Sequence, residues 1–147
     1  VNPPIRTSRL FRPTLETRLH IDYDWWSRND REWRVYLASH LCQEHRAVLE
    51  VQPAEEQIDW VQADTGEVRQ VDSIQHALIT HCSQQPGYIS PQTSLVDAVF
   101  RVFLANDNTP MTIRDLAERT GRPAETILRT LGGTHVYKGL RPVLAGS

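Results

Sequence analysis

The sequence predicts an α+β fold: an N-terminal mixed module of helices and a hairpin, followed by a C-terminal unit of three short helices and a small hairpin. Three observations carry this. Residues 111–131, MTIRDLAERTGRPAETILRTL, read as two short helices joined by a tight turn. Residues 17–25 alternate, with Leu19, Ile21, Tyr23 and Trp25 on one side and Arg18, His20, Asp22 and Asp24 on the other, which is the period of a half-buried strand. Residues 58–61 and 68–71 are apolar runs around Ala63, Asp64, Thr65 and Gly66, the pattern of a hairpin.

Each element follows from local chemistry. Residues 1–13 hold three prolines and three arginines with little periodicity and are expected to form an extended arm. After the strand at 17–25, Trp25 and Trp26 lead into a turn. Asp30 is then a candidate N-cap for a helix that carries Trp33, Leu37, His40 and Leu41 on one face. Residues 48–51 are expected to be a strand, and 53–56 a polar break. After the hairpin, Asp72 or Ser73 caps a helix with Ile74, Ala77, Leu78 and His81 on one face, which ends before Pro86-Gly87. The domain division is placed there, giving a mixed module at 14–88 and a separate domain at 94–144.

In that domain, residues 94–105 (SLVDAVFRVFLA) form an apolar helix with Ser94 or Thr93 as N-cap. A polar connection follows at 106–110. Thr112 stands three residues before Asp115, a capping-box spacing, and Ile113, Leu116 and Ala117 make one apolar face. Gly121 ends this helix, where a left-handed residue is wanted. Pro123 opens the next at a position that needs no amide hydrogen. Ile127, Leu128 and Leu131 supply its apolar face. Two short extended runs then flank Lys138-Gly139, a small hairpin.

The pattern Leu116-Ala117, Thr120-Gly121, Pro123, Ile127 and Leu131 resembles the helix-turn-helix consensus. With the apolar helix before it and the hairpin after it, residues 94–144 resemble a winged helix. That resemblance implies a partner: double-stranded DNA, with the second helix in the major groove. The residues it would place at the interface are Arg122, Glu125, Thr126 and Arg129 on or just before the second helix. Arg114 and Arg119 on the first helix would meet phosphate, and Lys138 and Arg141 on the wing would meet phosphate or the minor groove. The expected setting is transcription or its regulation.

Charge is only a mild guide. The chain of 147 residues has a formal net charge of -2. From Leu95 onward seven Arg and Lys stand against five acidic residues, whereas nine stand against thirteen before it. The polarity has the direction DNA requires, but it is weak. A second reading stays open: a protein-interaction module in a larger assembly, with the N-terminal tryptophans Trp25, Trp26, Trp33 and Trp60 either as anchors for a partner or simply as core. No stretch has the length of a transmembrane helix and no signal-peptide pattern is present, so no membrane partner is expected. Two cysteines do not make a disulfide scaffold, and a cytoplasmic setting is expected.

Both cysteines have histidine neighbours. Cys42 and His45 form a C-x2-H pair, and His76, His81 and Cys82 cluster forty residues on. Zinc takes four N or S ligands, commonly as two short-spaced pairs, so a structural zinc is the cofactor expectation. The hairpin between the pairs resembles a treble-clef zinc module, although His45 stands where a cysteine is usual. The plainer reading also stands: histidines favour helix C-termini, and a free cysteine is often a small buried hydrophobe. No Gly-rich phosphate loop, G-x-S-x-G elbow or H-E-x-x-H is present, and the chain is not expected to be an enzyme.

Overall fold

The computed structural model describes residues 12–28, 30–51, 57–61 and 64–143. Residues 1–11 of the expected arm, the polar break at 53–56 and the hairpin residue Ala63 lie outside the described residues. The chain begins with strand β1 (Arg18–Ile21) and a single helical turn, α1 (Tyr23–Trp26). Helices α2 (Asp30–Ala38) and α3 (Gln43–Val51) follow, then strands β2 (Gln57–Val61) and β3 (Val68–Asp72), and helix α4 (Ser73–Thr80). A 3-10 turn (Cys82–Gln84) leads to α5 (Leu95–Ala105), β4 (Met111–Thr112), α6 (Ile113–Thr120), α7 (Ala124–Leu131) and β5 (Leu140–Pro142). This is an α+β fold with a small three-stranded antiparallel sheet.

Helix α5 is the centre of the core. Ala98, Val99, Phe100, Val102, Phe103 and Leu104 are all buried, so it is covered on nearly every side, by α4, α6 and β1 among others. Ser94 caps it, its hydroxyl accepting from the Asp97 amide at 3.2 Å. Helix α6 starts as its sequence demands: the Thr112 hydroxyl accepts from the Asp115 amide at 3.1 Å. It stops at Gly121, whose φ of 71° is left-handed. Ile113, Leu116, Ile127 and Leu131 are buried between α6, α7 and α5.

The sheet crosses the expected domain division. Its order is β4-β1-β5, so the N-terminal strand is the middle one. Leu19 pairs with Met111 on one side and Pro142 on the other. Where β4 ends, the Asn108 side chain takes over its role: Oδ1 accepts from the Ile21 amide at 2.8 Å and Nδ2 donates to the Ile21 carbonyl at 2.9 Å. Just upstream, the Thr17 and Leu15 carbonyls accept from Ile113 and Arg114, free amides of the first turn of α6. The described residues of 14–88 and 94–144 therefore share one sheet and one continuous core.

Three elements differ from the expectation. The run at 135–137 is not a strand and meets Leu140 only through a single bridge from Tyr137. The strand at 17–25 ends at Ile21, because Asp22 Oδ1 accepts from the Asp24 amide at 3.0 Å and caps α1. Tyr23 and Trp25 consequently leave the sheet and are exposed, while Trp26 turns inward. Residues 48–51 are the end of α3 and not a strand; the β-branched propensity of Val48 and Val51 yields to the helix propagated from Gln43. The hairpin of β2 and β3 is antiparallel, with Val61 opposite Val68.

Candidate functional site

Cys42 directly precedes α3, and His45 lies in the first turn of that helix, so the C-x2-H spacing brings thiol and imidazole together. His81 and Cys82 follow the last residue of α4, where the chain tightens into the 3-10 turn. Arg46 holds the approach to Cys42, donating to the Ser39 and Leu41 carbonyls at 3.0 and 3.1 Å. The two segments meet. Cys42 Sγ is 3.4 Å from His45 Nδ1 and 3.5 Å from His81 Nδ1, and Cys82 Sγ is 3.8 Å from His45 Nδ1. All four ligand atoms lie within 4.8 Å of one another. These residues form a group that can hold a metal ion. His76, the fifth sequence candidate, is not in the group: it sits inside α4, five residues before His81.

The spacing can be tested against tetrahedral geometry. Metal–nitrogen bonds of ~2.0 Å and metal–sulfur bonds of ~2.3 Å place neighbouring ligand atoms roughly 3.3–3.8 Å apart. The three sulfur–nitrogen distances fall in that range. Both imidazoles present Nδ1 to the cluster. His81 Nε2, on the far side, lies 3.1 Å from Glu44 Oε2, a carboxylate–imidazole pairing that fixes which ring nitrogen faces inward. The Cys42 amide donates to Cys82 Sγ at 3.3 Å. Burial pushes the Cys82 thiol up to about 11.

A second group lies beside the cluster, between α2 and α5. His40 is 3% exposed. Its Nδ1 accepts from Arg101 Nε at 2.9 Å, which leaves the ring proton on Nε2, an atom with no hydrogen-bond partner among the described residues. Burial, and then the Arg101 charge, pull the His40 pKa down to about 4. Arg101 also donates to the Tyr88 carbonyl at 2.6 Å, and the Tyr88 hydroxyl donates back to the Arg101 carbonyl at 2.9 Å. The sequence placed His40 on the buried face of its helix but gave no sign of this network, because its partners come from a distant segment.

The predicted interface residues divide into two sets. Arg114 pairs with Glu16 at 2.6 Å and Arg141 with Asp22 at 2.9 Å. Arg122 turns inward and donates to the Ser90 and Thr93 carbonyls, tying the loop before α5 to the turn between α6 and α7. Lys138 rests its ammonium 4.7 Å above the Tyr36 ring. Arg119, Glu125 and Arg129 are exposed, and Thr126 is half-buried. The exposed surface of α6 and α7 is thus mixed in charge, with Asp115 and Glu118 also exposed there.

No protein-family model matches this chain, and no curated protein or solved structure matches it. Its residues alone therefore carry the functional reading.

The turn at Lys138-Gly139 is firmly placed. Both residues have positive φ, 55° and 78°, the pairing of a tight type I′ hairpin turn, and Tyr137 bridges Leu140. The Trp26 indole donates to the Lys138 carbonyl at 3.0 Å. A Cβ on Gly139 would meet Trp26 Nε1 at 2.8 Å, so glycine is required both for conformation and for room. Asp22 accepts Arg141 and its amide donates to Gly139 O at 2.8 Å. The N-terminal YDWW segment is what seats the turn; of the two readings the sequence left open for the tryptophans, Trp26 takes the core one, but its role in holding the turn was not foreseen. Trp25 remains exposed; the side chain of Trp60, on β2, lies outside the described residues. No described helix is long and apolar enough to cross a membrane.

Proposed function

We propose that this chain is a winged-helix protein that binds double-stranded DNA in transcription or its regulation, with its N-terminal part stapled by a structural zinc ion. The DNA reading is supported above all by the pair α6–α7. Its capped start, left-handed Gly121 and buried inner face leave Glu125 and Arg129 pointing to solvent. Arg129 is suited to guanine and Glu125 to cytosine in the major groove. Arg119 suits phosphate, and Lys138 on its seated turn suits phosphate or the minor groove. The zinc reading is supported by the sulfur–nitrogen spacings. Four protein ligands fill the tetrahedron and leave no position for an activated water, the arrangement of a structural and not a catalytic site.

Three of the six cations proposed for the interface are exposed without an ion pair or carbonyl partner among the described residues: Arg119, Arg129 and Lys138. Binding to random duplex DNA should therefore show a shallow salt dependence, with a slope of log affinity on log salt of about -3. Fluorescence anisotropy at several salt concentrations measures it. Arg129→Ala should weaken binding roughly three- to tenfold, while Arg114→Ala, which removes a cation already paired with Glu16, should change it less. No binding at low salt would sink the DNA reading.

A second reading, a protein-interaction module, is favoured by the three internally bonded arginines, Arg114, Arg122 and Arg141. It is favoured too by the exposed Tyr23, Trp25 and Tyr137, which flank the seated turn.

A further inference from the structure

Two cysteines forty residues apart in sequence meet at one point, and they meet unequally. Cys82 is 1% exposed, whereas Cys42 is half-buried. The Cys82 sulfur already lies 3.3 Å from the Cys42 amide nitrogen, and the two sulfurs are no more than 4.8 Å apart. Both residues line one cavity of about 220 Å³, together with His40, Tyr88 and Arg101. A water molecule takes about 30 Å³ in the liquid, so a small hydroperoxide has room there.

We infer that Cys42 and Cys82 are a peroxide-sensitive pair, closing to a disulfide that displaces the metal from the staple. This rests on the zinc reading above. The chemistry is balanced. The Cys42 sulfur attacks one oxygen of hydrogen peroxide, breaking the O–O bond and giving a sulfenic acid with release of one water. The Cys82 sulfur then attacks the Cys42 sulfur, forming the S–S bond and releasing the second water. Two zinc-bound thiolates, one hydrogen peroxide and two protons from solvent become one disulfide, two waters and a free zinc ion. The order follows from exposure: the more accessible Cys42 meets the oxidant, and the buried Cys82 resolves it. The two sulfurs, no more than 4.8 Å apart, must close to the ~2.05 Å of a disulfide. Two of four ligands are then lost and His45 and His81 cannot hold the ion alone. The junction between α3 and the 3-10 turn nevertheless stays joined, now covalently.

The test uses the full chain loaded with zinc and treated with hydrogen peroxide. Released zinc is read with a chromogenic chelator, and the protein by intact mass and non-reducing peptide mapping. The expected result is one zinc released per chain, a mass lower by two hydrogen atoms, and a linked Cys42–Cys82 peptide, all reversed by a thiol reductant with added zinc. Zinc retained under peroxide would overturn the inference. So would zinc released with oxygen added to Cys42 and no linked peptide. A chain that takes up no zinc at all would sink the zinc reading instead. In that case a Cys42–Cys82 link in the peroxide-treated chain would still uphold the pairing, and its absence would overturn it.

Discussion

Helix α5 and the cysteine–histidine cluster are a few residues apart in space and built on opposite principles. Around α5, the largest fully buried side chains are all hydrocarbon, among them Phe100, Phe103, Leu19, Ile113 and Ile127. Their attraction needs no partner beyond one another. The cluster is two thiols and two imidazoles. Without an ion its contacts are weak thiol–imidazole hydrogen bonds; with one they become coordinate bonds. One region carries its own stability; on the proposed zinc reading the other borrows it from an occupant. Each prediction below pushes on that difference.

The largest effect should come from chelation. Removing zinc should speed amide hydrogen exchange in α3 and the 3-10 turn by about a hundredfold or more, because opening there no longer costs metal dissociation. Exchange in α5, α6 and α7 should change little. Equal acceleration throughout would mean that the two regions are not energetically separate, and no change anywhere would mean that no metal holds the cluster.

Phe103→Ala should invert the pattern. Phe103 is fully buried, and emptying its site should cost about 3–5 kcal/mol in urea unfolding. Zinc affinity should stay within a few-fold of wild type. A large loss of zinc affinity would show that the core sets the cluster's geometry.

The same contrast explains what could be read from the sequence. Caps and turns are local: Ser94, Thr112 and Gly121 stand where their neighbours need them, and they perform as expected. Strand pairing is non-local. Nothing in residues 18–21 says that they lie between Met111 and Leu140, so the division into two modules failed at β1. Arg122, Arg129 and Arg141 look alike as surface cations in a sequence. Only the positions of the Ser90 and Thr93 carbonyls and of Asp22 separate them. The two ligand pairs were legible from their short spacing, but the choice among His76, His81 and Cys82 was not made. Periodicity held a signal here: residues five apart on a helix sit about 140° apart around its axis, so His76 and His81 could not both face one ion from the helix the sequence predicts.

A pH titration should act next, at the border of the two regions. The folded pKa of His40 is about 4, below its ordinary 6.5. Above the ordinary value both folded and unfolded chains are neutral there, and the contribution is constant. As pH falls through that value, the unfolded chain takes the proton first and stability declines, levelling off below about 4. The full loss is at most about 3 kcal/mol. Arg101, Asp97, Arg46 and Lys138 are the charges acting on this ring. Measuring on the chelated chain keeps proton-driven metal loss out of the slope. His40→Gln should flatten it, and an unchanged slope in that variant would place the proton uptake elsewhere.

Glu44→Gln should give the smallest effect, and it tests how far outside the cluster its support extends. Glu44 is largely exposed, its side chain 70% accessible, and pairs with His81 Nε2 at 3.1 Å. In buried sites such a carboxylate is worth about tenfold or more in metal affinity. Solvent screens this one, so about threefold is expected, read by competition with a chelator of known affinity. The variant keeps the shape and removes the charge, and its amide oxygen still accepts from Nε2–H. A threefold loss with an unchanged cobalt absorption spectrum would mean that charge raises the basicity of His81 while the ring stays in place. A changed spectrum would mean that Glu44 orients the ring. An unchanged affinity would confine the borrowed stability of this region to its four ligands.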